Sequence, residues 1–140
     1  MKKIFLIVML FLGLHARAQN LDNKDIIGKW KVVGAEMTNN DLPEEDYKKM
    51  ELLKDSFIQA TFEFKTNNNC SFDIAVEELR IKQAHWKYSQ KTNSFIIQDK
   101  KYMNTDKWIL MEIAAKKEED KIQFLLTELP FVLDVEKVNE

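Results

Sequence analysis

From Ile26 onward the chain is a train of short segments in which apolar and polar residues alternate, each segment broken by a turn rich in Asn, Asp or Lys. A period of two places successive side chains on opposite faces of a strand, so one face can be buried while the other stays wet. In the clearest stretch, Ala60, Phe62 and Phe64 alternate with Thr61, Glu63 and Lys65. Thr66-Asn67-Asn68-Asn69 turns the chain, and Cys70, Phe72 and Ile74 then alternate with Ser71 and Asp73. This is a hairpin. Ala84, Trp86 and Tyr88 alternate with His85 and Lys87, and Lys91-Thr92-Asn93 turns again. About eight such strands, with turns every ten or so residues, predict an all-β domain folded as an antiparallel up-and-down barrel. Strand 1 is expected over 26–37, and the last around Phe131, Leu133 and Val135. Residues 76–83 read equally as strand or helical turn, and 116–120 as a turn.

One segment keeps a different period. Thr38-Asn39-Asn40-Asp41 ends the first strand. Pro43 suits a first helical turn, Asp41 can cap it, and Glu44, Glu45 and Asp46 complement the positive end of the helix dipole. Tyr47, Met50, Leu53 and Phe57 recur at spacings of three and four, a single apolar stripe. A helix over 43–54, between strands 1 and 2, is expected.

The N-terminus has the form of a secretory signal peptide. Lys2 and Lys3 precede the apolar run Ile4 to Leu14, and Ala16-Arg17-Ala18 offers small residues at the cleavage site. The run is short of the roughly 20 residues that span a bilayer. Cleavage is expected after Ala18, giving a signal peptide over 1–18, a flexible lead-in over 19–25 and one domain over 26–140. The mature chain would not span a membrane and would be periplasmic or secreted. Removing 1–18 leaves 122 of the 140 residues, and the loss of Lys2, Lys3 and Arg17 takes the basic residues from 21 to 18 against 23 acids, a net charge of −5. That balance argues against nucleic acid as a partner, because phosphate binding needs a concentrated basic surface. Cys70 is the only cysteine, so no internal disulfide can form.

Gly28-Lys29-Trp30 heads the first strand, behind a leader and ahead of the barrel-like train, and Ala84-His85-Trp86-Lys87-Tyr88 precedes a Lys/Asn turn. On these residues the chain from about 26 to 138 resembles the lipocalin-like superfamily, and in particular its small exported bacterial domains. The resemblance implies a barrel floor in which Trp30, behind Gly28, packs against a basic residue from the far end of the chain, for which Lys137 is the candidate. It also implies that the helix covers the barrel mouth as a lid. The chain departs from the larger members, whose late turn carries Thr-Asp-Tyr, since Thr105-Asp106 is followed by Lys107.

Chemistry is sparse. His85 is the only histidine beyond the leader, and the alternation puts it on the outward face while Cys70 points inward, so no nucleophile-base pair is expected. No two-ligand metal spacing and no phosphate loop is present, so no catalytic residue, metal site or cofactor is expected. Two readings stay open. In the first, the barrel binds a small apolar ligand, with Tyr47, Met50 and Leu53 of the lid and the inward Phe62, Phe64, Phe72, Trp86 and Tyr88 around it. Small residues, Ala60, Ala84 and Ala114, would leave room if gathered at one end. In the second, large side chains plug the barrel, and it serves as an interaction module for an envelope protein partner, as an inhibitor or immunity factor would. The outer faces and the loop from Asp99 to Asp106, with Tyr102 and Met103, would then make the contact.

Overall fold

A computed structural model describes residues 18–38 and 41–139 of the chain. The expected leader, apart from Ala18, lies outside them. Nine strands form one antiparallel sheet: β1 (Ala18–Asn20), β2 (Gly28–Met37), β3 (Thr61–Phe64), β4 (Asn69–Asp73), β5 (Ile81–Ser89), β6 (Ser94–Gln98), β7 (Ile109–Glu118), β8 (Lys121–Leu126) and β9 (Phe131–Lys137). From β2 to β9 each strand pairs with the next, and β2 pairs with β9, so these eight close an up-and-down barrel. Such a barrel is compatible with the lipocalin-like fold.

β1 stands outside that ring. It pairs with Lys116–Glu118 of β7, beyond the stretch of β7 that β6 covers. Residues 19–25, expected as a lead-in, hold the end of β1 and the start of a helical turn. After β1 comes a single helical turn, α1 (Asn23–Ile26), whose cap Asp22 accepts hydrogen bonds from the Lys24 and Asp25 amides. Leu21 and Ile26 are buried, and the Leu21 amide donates to the Ala115 carbonyl at 3.1 Å, so apolar burial and the pairing with β7 both hold the segment down. The second helix, α2 (Glu44–Ser56), joins β2 to β3. It runs two residues past the expected end, and Pro43 rather than Asp41 occupies the N-cap.

The ambiguous segment resolves into both of its readings: a 3-10 turn over Glu77–Leu79, then strand from Ile81. The turn expected over 116–120 shrinks to Glu119-Asp120. The β7–β8 hairpin keeps its register to Glu118↔Lys121, and Glu119 takes the positive φ of 56° that a tight hairpin turn needs.

The lower half of the barrel is filled. Trp30 is 2% exposed, and its Nε1 donates to the Ile26 carbonyl at 2.8 Å. Lys137 lies directly opposite in the β2–β9 register, with Nζ 5.6 Å from the Trp30 ring centre. Gly28 has φ +134°, a conformation that calls for glycine, and the flexible end of Lys137 lies over it, with Cε 2.6 Å from where a Cβ would stand. Above the floor the aromatic rings interlock. Phe124 sits 5.7 Å from Trp30 and 5.4 Å from Phe62, while Phe64 meets Trp86 edge-on at 5.8 Å. Offset and edge-to-face contacts of this kind add to the burial of the rings themselves.

Candidate ligand cavity at the barrel mouth

The upper half is built differently, because the strands are of unequal length. β5 has nine residues and β6 has five. β6 covers β5 only from His85 to Ser89, so Ile81–Ala84 runs past it, paired with β4 on one side alone. β6 ends where the polar loop 99–108 begins, and that loop turns back rather than continuing the strand. Gln98 Nε2 donates to the carbonyls of Thr105 (3.1 Å) and Lys107 (2.9 Å), and Lys87 Nζ donates to those of Met103 (3.3 Å) and Thr105 (3.0 Å). These four bonds draw the loop onto the outer wall and leave a notch between the starts of β5 and β7.

A cavity of about 820 Å³ opens there. Phe57, Phe72, Leu79, Ile81, Met111 and Leu126 are among its lining residues, and β6 contributes none. Its rim is polar: Glu78, Arg80, Lys82, Gln83 and Glu128. Arg80 is already engaged, 3.2 Å from the Asp73 carboxylate and donating to the Ile74 carbonyl at 3.3 and 3.2 Å. The volume falls inside the range of small-molecule sites, about 300–1,000 Å³, and an apolar lining with a few polar groups at the edge is their usual make-up.

The inward aromatics named from the sequence separate into two groups. Phe72 lines the cavity. Phe62, Phe64 and Trp86 belong to the packed lower half, where Trp86 also donates to the Lys65 carbonyl at 2.9 Å. Tyr88 meets Phe95 at a tilt with ring centres 5.0 Å apart near the floor, and its hydroxyl donates to the Asn93 side chain. In α2, Tyr47, Met50 and Leu53 are half-buried, and none lines the main cavity. Met50 faces a neighbouring hollow of about 560 Å³, with Leu42, Leu126, Leu129 and Pro130. The residue this segment gives to the cavity is Phe57, which follows the helix, is 1% exposed, and packs on Phe72 and Phe131 at 5.6 and 5.5 Å. Phe57 continues the helical stripe one step further, so the spacing that marked Tyr47, Met50 and Leu53 also marked it. Leu79, Ile81, Met111 and Leu126 carried no such mark. Their exposure to a cavity follows from where β6 stops. Ala60 and Ala84 are buried outside the cavity lining, and on β7 it is Ala115, not Ala114, that is buried.

Cys70 pairs with Ala84 and His85 with Asn69, so the thiol and the imidazole lie on opposite faces of the sheet. Burial, with a smaller contribution from Glu63, pushes the Cys70 thiol up to about 12. Partial desolvation and the nearby Lys87 and Lys100 charges lower the His85 pKa from its usual value. Among the described residues no group of three or more His, Cys, Asp or Glu could hold a metal ion, and no helix is long and apolar enough to cross a membrane. Fold and cavity together define an eight-stranded closed barrel with a filled floor and an open pocket at its mouth. Compared with known proteins, the chain matches no protein family, no curated sequence and no solved structure.

Proposed function

We propose that the chain is an exported, non-enzymatic, lipocalin-like protein that binds a small apolar ligand in the mouth cavity. The observation that carries this reading is the division of the interior. The aromatic floor is packed solid, while about 820 Å³ of largely apolar space is left at the mouth. Burying a ligand's apolar surface there is favourable by roughly 25 cal/mol per Å² before the costs of association. Absence of catalysis is part of the reading, supported by the separation of Cys70 from His85 across the sheet. In this arrangement α2 does not gate the ligand. It anchors Phe57 as part of the cavity wall.

Uptake of a fluorescent fatty-acid probe tests the reading. Leu79 is half-buried on the 3-10 turn at the rim, outside the strands, so Leu79→Asp spares the barrel while placing a carboxylate against the ligand. It should weaken uptake on the order of tenfold or more, a cost of about 1.4 kcal/mol or above. Met50→Asp should change uptake little. Loss with Met50→Asp but not Leu79→Asp would move the ligand to the hollow beneath α2. No uptake by the unmodified protein would end the reading and leave the plugged interaction module in its place. Export has its own test. The mature protein should begin at Gln19, and mass analysis of cell-envelope protein that finds Met1 retained would exclude it.

A further inference from the structure

The notch that opens the cavity has an unusual neighbour. Trp108, at the end of the 99–108 loop, is 69% exposed, and Leu110, two residues on, is 49% exposed while also lining the cavity. Tyr102 packs against Trp108 with ring centres 5.8 Å apart, and Met103 beside it is 39% exposed. Trp108 holds a φ of +60°, a left-handed conformation unfavourable for a bulky side chain. Gln98 and Lys87 hold the preceding loop by hydrogen bonds to its carbonyls, and the indole stands in water.

The charges around this patch differ in sign from those of the chain as a whole. The sequence carries a net −2, yet the loop and the adjoining outer face of β5 present Lys82, Lys87, Lys100, Lys101 and Lys107 against Asp99 and Asp106. Asp99 is also occupied, accepting the Lys101 amide at 3.0 Å. The acids Glu78 and Glu128 line the same cavity as Leu110, so the positive excess belongs to the loop side of the notch.

We infer that Trp108, Tyr102 and Leu110, ringed by Lys100, Lys101 and Lys107, form a docking surface for an anionic lipid bilayer, bringing the notch against the membrane from which the apolar ligand enters. The inference rests on the ligand reading above. Trp and Tyr favour the headgroup level of a bilayer, where an apolar ring and a polar edge are both satisfied. Lysines near an anionic surface each add about a fivefold gain in binding. One aromatic pair without a helix or lipid chain makes such docking weak and reversible, suited to loading rather than anchoring.

Tryptophan fluorescence provides the test, because Trp30 and Trp86 are 2% and 3% exposed and only Trp108 can respond to a changed surface environment. The full mature protein is titrated with vesicles of phosphatidylcholine mixed with phosphatidylglycerol, and with phosphatidylcholine alone. The mixed vesicles should shift the emission to the blue and quench it when brominated lipid is included. Trp108→Ala, which removes the reporter and is therefore read by co-sedimentation with the mixed vesicles, should abolish binding, and the Lys100→Gln, Lys101→Gln, Lys107→Gln triple variant should weaken binding roughly a hundredfold. Equal binding to neutral vesicles, no response to mixed ones, or co-sedimentation surviving Trp108→Ala would overturn the proposal. So would a blue shift that grows with protein concentration without lipid, since a second copy would then cover the patch. Trp108→Ala should leave uptake of probe from solution intact, and Leu79→Asp should leave docking intact, so failure of docking and failure of ligand binding give different results.

Discussion

Trp30→Ala should destabilise the fold by about 3–5 kcal/mol, the range for truncation of a large buried aromatic. The side chain is 2% exposed and packs on Phe124, so its removal leaves a void at the closed end of the barrel where the surroundings are already rigid. It also strands the Ile26 carbonyl, which accepts the indole N–H at 2.8 Å. A buried acceptor without its donor adds to the loss. Lys137 then loses the ring beneath its ammonium group. Urea unfolding measures the effect as a lower midpoint with an unchanged slope. Trp108→Ala is the control: its 69% exposure predicts a change within about 0.5 kcal/mol. A Trp30→Ala loss below about 1 kcal/mol would mean that the indole does not plug the floor.

Cys70 should resist thiol reagents in the native protein and react at once on unfolding. Its side chain points into the barrel and is 3% exposed, with the thiol pushed up to about 12 from an ordinary 9.0. Near neutral pH the thiolate, the reactive form, is then about a thousandfold rarer than in a free cysteine, before any steric block is counted. Labelling with a chromogenic disulfide should be negligible in buffer and complete in denaturant. Rapid labelling of the native protein would place Cys70 outside the core. The same burial sets a pH dependence. The folded state favours the protonated thiol, so its contribution to stability is full below about 9 and is lost between about 9 and 12, as the unfolded chain ionises first. Alkaline unfolding of Cys70→Ala should be less steep across that window.

The barrel was legible because strand identity is a local property. Ala60 to Ile74 alternates so regularly that its inward set, Phe62, Phe64, Cys70 and Phe72, can be read directly, and the β3–β4 register pairs Phe62 with Phe72 as that alternation requires. The helix was legible from its three- and four-residue spacing, although its cap was not, since Asp41 and Pro43 both suit the start of a helix. Residues 19–25 look polar and unstructured in sequence. Their order comes from the pairing with β7 and from Leu21 and Ile26, two apolar side chains that acquire meaning only when the barrel end stands beside them.

The candidate site divides along the same line. Period-two alternation specifies which side chains turn inward, and therefore Phe72, Phe62, Phe64 and Trp86 all belong to the interior. It carries no information on height along the barrel axis, which depends on strand register and strand length. Whether an inward aromatic fills the floor or faces the cavity was therefore decided by the tertiary structure alone. The decisive event is the end of β6 at Gln98, whose amide, with Lys87, binds loop carbonyls and draws residues 99–108 outward. Those bonds join groups up to 18 residues apart. No local pattern encodes them, yet they open the notch, turn Leu79, Ile81 and Met111 from core residues into cavity walls, and leave Trp108 in the solvent.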